Sequence, residues 1–153
     1  MNYILGIVLD KDIELKIKSL GKINFKKGFY LYVGSAKRNF KARINRHLIK
    51  KKKKFWHIDY LLSLNKAKIK EIWITDKIKE CQIANFLNKE GYNFIDRFGS
   101  SDCKCPSHLF FIKREIIRIR ILLKNKGFLK YKGDKVGDLK SEFKRKNLKS
   151  PTE

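Results

Sequence analysis

Apolar positions along this chain fall into two rhythms. Residues 3–9 (YILGIVL) form an unbroken apolar run of strand length, as expected of a strand covered on both faces. After the polar turn Asp10-Lys11-Asp12, residues 13–17 (IELKI) alternate strictly, which predicts a half-buried strand hairpinned to the first. Gly21 and Gly28 punctuate a connection into a third strand, GFYLYVG, ending at Gly34. On a strand, alternate side chains share a face, so Tyr30, Tyr32 and Gly34 point one way and Phe29, Leu31 and Val33 the other. The small residues Gly34-Ser35-Ala36 let another backbone or a phosphate come close. Three antiparallel strands thus precede the first helix.

From Asn39 the period lengthens to that of a helix. Phe40, Ile44 and Leu48 make its apolar stripe, with Arg43 and His47 one turn apart on the shoulder. The lysine block 50–54 is too charged to pack. A short aromatic-led helix follows at 55–62 (FWHIDYLL), then a strand at 69–75 (IKEIWIT). Asp76 is placed to cap the next helix, which shows Ile83, Ala84 and Leu87 on one face and ends near Gly91. Glu80 shares that face, where an unpaired acid would be costly. A loop at 98–108 rich in Ser, Cys and His leads into apolar 109–112, and 113–126 reads as a basic helix, with a strand as the alternative. The Lys-rich remainder reads as a loosely held tail with a short helix at 138–146.

Charge changes the picture. Thirty-eight Lys and Arg against fifteen Asp and Glu in 153 residues give a net charge of +23. Part of this is a compositional preference for lysine, yet +23 exceeds any need for solubility and makes nucleic acid the first partner to consider. No apolar run approaches the ~20 residues needed to span a bilayer. The N-terminal stretch reads as a strand rather than a signal peptide. An odd cysteine count of three argues for a reducing cytoplasm over a disulfide framework.

The candidate chemistry sits where strand meets helix. A phenol, a guanidinium and an imidazole (Tyr32, Arg43, His47) converge beside a glycine-floored gap. Arg offers a planar fork to phosphate oxygens, and Tyr and His can move a proton. Lys37, Arg38, Arg46, Lys50 and Lys52 are the candidate phosphate contacts around it.

Four ordered motifs carry a resemblance: GFYLYVGSA, the R-x-x-x-H spacing of Arg43 and His47, WHIDYL from Trp56, and FGSSDCKCPSHLF from Phe98. Together they resemble an uncharacterised branch of the GIY-YIG nuclease superfamily over about residues 1–112, with 113–153 left as a basic helix and tail. The resemblance implies an α+β fold with a small, mainly antiparallel three-stranded sheet flanked by helices, extra strands and the basic C-terminal helix. It implies a metal-dependent endonuclease hydrolysing DNA phosphodiester bonds. Relatives fused to a base-excision glycosylase hint at DNA repair and a base-excision repair partner. Matched residue by residue, Tyr3 and Tyr32 correspond to the two signature tyrosines and Arg43 to the arginine that meets the scissile phosphate. His47 lies one turn on, and His57 is a weaker match to a histidine some members use. Glu80 corresponds to the glutamate that holds one Mg²⁺ or Mn²⁺; no small-molecule cofactor and no membrane are expected. Of the first signature only Tyr3 is kept.

Blander readings stand beside these. The tyrosines are common sheet residues, Arg43 and His47 suit a solvated helix face, and Glu80 suits a helix N-terminus. The contrasting function is a nucleic-acid-binding module, for DNA or RNA, whose catalysis has lapsed. In the 98–108 loop, Cys103, Cys105 and His108 suggest zinc. The C-x-C spacing is not the usual knuckle, however, and a fourth ligand would have to be Cys81 or His57. A packed loop with Asp102 and His108 hydrogen-bonded is the preferred expectation over structural zinc.

Overall fold

The computed structural model describes residues 1–133. The helix expected at 138–146 and the rest of the tail lie outside them. The fold is α+β. Strands β1 (Asn2–Leu9), β2 (Ile13–Ile17), β3 (Gly21–Phe25) and β4 (Gly28–Ser35) come first, followed by helices α1 (Phe40–Leu48) and α2 (His57–Leu62). Then come β5 (Ala67–Thr75), α3 (Glu80–Lys89), β6 (Asn93–Phe94), β7 (Leu109–Ile112), α4 (Ile116–Asn125) and β8 (Leu129–Lys130).

Six strands form one sheet in the order β6-β7-β4-β1-β5-β8, with every pairing antiparallel. The three-stranded expectation is therefore corrected to six. The β1–β2 hairpin is also corrected: β1 lies between β4 and β5, while β2 pairs with β3 in a separate two-stranded sheet. The physical reason lies in the side chains. Apolar β1 needs neighbours on both edges, whereas β2 carries Glu14 and Lys16 on its exposed face and suits an outlying ribbon. Residues 21–25, read as a connection, form that ribbon's second strand.

The alternation of β4 sorts the core into two layers. Tyr30 and Tyr32 join Tyr3, Leu5 and Ile7 on one face, covered by Phe40 and Ile44 of α1, Ile58 and Leu61 of α2, and Ile17 and Phe25 of the ribbon. Phe29, Leu31 and Val33 join Ile4 and Trp73 on the other, covered by Ile83, Ala84 and Leu87 of α3 and Ile119 and Leu123 of α4. Residues 116–130 are thus integral to the packing, and Glu71, nearly buried, pairs with both Arg120 (3.1 Å) and Lys130 (3.6 Å). Among the described residues no helix is long and apolar enough to cross a membrane.

Two local expectations change. Asn39 does start α1, its side chain accepting from the Ala42 N–H at 3.2 Å from a left-handed backbone, but the buried stripe is Phe40, Ile44 and His47. Leu48 is half exposed, because His47 rather than Leu48 finds a partner inside. The cap of α3 is Lys79, whose N–H donates to Gln82 Oε1 at 3.0 Å, and not Asp76.

Candidate active site

At the end of β4, antiparallel register places Gly34 directly opposite Tyr3 of β1, with Tyr32 one step along the same face. A Cβ at Gly34 would stand 2.6 Å from the Tyr3 hydroxyl oxygen, so glycine here is the seat of the Tyr3 ring. Tyr32 is bounded on its far side by Gly99, where a Cβ would come within 3.2 Å of the ring and the backbone is left-handed at φ +71°. Both tyrosines, Gly34, Ser35, Lys37, Arg38, Arg43, His47, His57 and Glu80 line one open cleft of about 850 Å³. Phe55, Trp56 and Asp102 complete its rim.

Each polar group has a definite setting. Tyr3 Oη and His47 Nε2 lie 2.7 Å apart in a buried hydrogen bond. Burial, followed by the Lys52 charge, pushes the His47 pKa from 6.5 down to about 3, so the imidazole is neutral. Burial raises both phenols well above 10, partly offset by Arg43 at Tyr3, with Tyr3 and Glu80 nearby adding to burial at Tyr32. Neither tyrosine is ionised at neutral pH in this setting. Arg43 donates to the Ser35 carbonyl at 3.2 Å and lies 4.3 Å over the Trp56 ring. No carboxylate stands at contact distance from it among the described residues. Glu80, the first residue of α3, accepts from Ser35 Oγ at 2.8 Å and has Oε1 3.0 Å from His108 Nδ1. That His108 contact is close enough to pair but lacks the straight alignment of a full hydrogen bond. Burial raises the Glu80 pKa, but His108, Ser35 and Arg43 together outweigh it and the carboxyl is held below its usual value.

The other expected residues have different employment. Arg46 grips buried Asp59 through both carboxylate oxygens at 2.7 Å and also lies over Trp56. Lys50 donates to the carbonyls of Leu62, Leu64 and Ala67, closing the end of α2, and Lys52 donates to those of Arg46 and His47, closing the C-terminal end of α1. These three expected phosphate contacts are thus each engaged by protein acceptors. Lys37 and Arg38 remain exposed on the cleft wall. His57 uses both ring nitrogens: Nδ1 accepts from the Gly99 N–H at 2.9 Å, so Nε2 carries the proton and donates to Ser19 Oγ at 2.7 Å. It ties the ribbon and the 98–108 loop to α2, and acts as a brace at the rim.

The 98–108 loop corrects the sequence expectation most. Cys103, Cys105 and His108 are joined by Cys81 of α3, and one ligand atom from each lies within 4.8 Å of the others. This Cys₃His cluster can hold a metal ion. His57 is not part of it, and Asp102 stands exposed on the cleft rim rather than bonded inside the loop. Sequence reasoning also missed Ser35 and Phe55. Ser35 had a signal, as a small hydroxyl following Gly34, but its partner lies 45 positions away.

The architecture is an antiparallel sheet layered by helices, with a cationic cleft of two tyrosines, an arginine and a glutamate at one end of its central strands. The chain belongs to the family described as Domain of unknown function DUF123, whose model matches residues 2–126. No curated protein and no solved structure gives a significant match.

Proposed function

We propose that the protein is a metal-dependent endonuclease that hydrolyses DNA phosphodiester bonds, as its resemblance to GIY-YIG nucleases implies. The observation that carries this reading is the convergence of Tyr3, Tyr32, Arg43 and Glu80, distant in sequence, on one open cleft. Arg43, with no contact carboxylate, presents its guanidinium to the non-bridging oxygens of a phosphate entering the cleft. His47, neutral, fixes the Tyr3 hydroxyl by their 2.7 Å bond, and that hydroxyl positions water or the phosphate oxygen in front of it. Lys37 and Arg38 draw in the polyanion, and Phe55, 80% exposed at the mouth, offers a face on which an unpaired base can stack. The residue that would hold a Mg²⁺ or Mn²⁺ ion is Glu80. One carboxylate on the cleft wall, with the rest of the shell left to water, fits the coordination such ions take in nucleic-acid enzymes. When bound, the ion would neutralise charge developing on the leaving oxygen. DNA repair is the setting in which a cut of this kind would serve.

A second reading is favoured by one feature. Both oxygens of Glu80 already have protein neighbours, Ser35 and His108, which suits a nucleic-acid-binding module without turnover. Incubation with Mn²⁺ or Mg²⁺ and a panel of flap, nicked and branched DNAs separates the two. Nuclease action gives cuts that fall ~10²–10³-fold in Arg43→Ala and vanish in Glu80→Ala. Cutting that survives in both variants, or salt-sensitive binding with no cutting by the unaltered protein, overturns the hydrolytic reading.

A further inference from the structure

We infer that Cys81, Cys103, Cys105 and His108 bind one structural Zn²⁺ ion, and that this ion holds His108 in place behind Glu80. Three thiols and an imidazole form a recognised tetrahedral zinc set. Zn–S and Zn–N bonds of about 2.3 and 2.0 Å make the edges of such a tetrahedron about 3.5–3.8 Å. Cys103 Sγ and His108 Nε2 already stand 3.5 Å apart, and all four ligand atoms fall within 4.8 Å. Closure needs only a contraction of about 1 Å at the longest edge.

The setting fits a structural ion rather than a catalytic one. All four ligands come from protein, so no coordination position is left open. Two segments are joined: Cys81 is in the first turn of α3, while the others lie on a loop with little regular structure, held by bonds such as the Arg97 N–H to the Pro106 carbonyl at 2.8 Å. A loop of this kind gains much from a cross-link. Binding displaces three thiol protons to solvent and leaves a group of net charge −1, favourable in a chain carrying +23.

The second ring nitrogen of His108 supplies an independent observation. Nδ1 is buried, without an aligned hydrogen bond, and 3.0 Å from Glu80 Oε1. Zinc on Nε2 requires the proton to sit on Nδ1, where a small rotation of the ring directs it at the carboxylate. Metal-bound histidines habitually give their remaining N–H to a carboxylate in this way. His108 is then a positioning residue for Glu80. That consequence rests on the nuclease reading, whereas the zinc itself does not.

Metal analysis of the full chain, expressed with zinc and purified without chelator, tests the site directly. One zinc per chain is expected, falling well below half in Cys81→Ser and in Cys103→Ser and unchanged in Lys104→Ala. Cobalt-loaded protein should show the intense thiolate-to-cobalt absorption and visible bands of a tetrahedral thiolate site. Should the cysteine variants fold poorly, a mercurial titration of the unaltered protein should release zinc in step with its thiols. A metal-free chain, zinc lost on dialysis, or cobalt without the thiolate band overturns the inference. These readouts need no cutting activity, so failure of the nuclease reading leaves them interpretable.

Discussion

At the scale of single residues, the cleft depends on a glycine that makes room and a histidine that stays uncharged. Gly34→Ala puts a methyl where the Tyr3 ring lies, and such overpacking typically costs ~1–3 kcal/mol. Chemical denaturation should show that loss together with loss of cutting; a variant of unchanged stability would mean that Tyr3 is not seated on Gly34. His47 makes a pH prediction whose sign is set by its depressed pKa, 6.5 falling to about 3. Below about 6.5 the unfolded chain takes up a proton that the folded chain refuses, so stability from this group is complete above that pH and drains away towards about 3. The loss amounts to something on the order of 3 kcal/mol by about pH 4. Melting followed across this range should find the gap between the unaltered protein and His47→Gln closing on acidification, and parallel curves would contradict the assignment. The pairing of Tyr32 with Gly34 on one face was legible because strand side chains alternate with a period of two. Which of Arg43 and Arg46 is left without a carboxylate partner was not. They lie on one helix beside one tryptophan, and the choice is made by Asp59, 13 positions further on, which takes the Arg46 fork.

Among the elements, α1 and α2 are locked by that same Asp59. Its Oδ2 also accepts the N–H groups of Phe55 and Trp56 at 2.8 Å, so one buried carboxylate fixes the entry to α2 and holds Arg46 of α1. Asp59→Ala leaves Arg46 without its partner and two backbone donors unmet, and breaking such a buried pair costs ~3–5 kcal/mol. Equilibrium denaturation should find a loss of that size, and a change well under ~1 kcal/mol would show that Asp59 is not the lock. The elements themselves were largely legible as periods, while their partners were not. Alternation finds β2, but nothing local states that apolar β1 will prefer β4 and β5, which only the completed sheet decides. The two-residue strands β6 and β8 carry too short a pattern to be seen at all. Cys81 and His57 were equal candidates for a fourth ligand for a related reason: the choice of Cys81 is made by α3 packing on the sheet, not by any short spacing.

Over the whole molecule, +23 is a field, and among the described residues some cations stand exposed at the cleft while others are engaged by protein acceptors. Lys37 and Arg38 are exposed at the cleft, whereas Lys50 is bound at the end of α2 and Lys52 at the end of α1. Affinity for nucleic acid should fall steeply with salt, and Lys37→Ala or Arg38→Ala should each reduce the slope of log affinity against log salt by about 1. Lys50→Ala should leave that slope unchanged and lower the melting temperature instead. Equal slopes for all three variants would show that the field acts diffusely and that the cleft is not its focus.

The central claim is that Arg43 and Glu80 act together on one phosphodiester. Single-turnover cutting rates for the unaltered protein, Arg43→Ala, Glu80→Ala and the double variant, on the best-cut DNA and with Mn²⁺ present, test it most directly. The unaltered protein should cut, and either change alone should remove nearly all of the rate. The double variant should be little worse than either, as for groups serving one transition state. No cutting by the unaltered protein, or losses that simply multiply in the double variant, would contradict it.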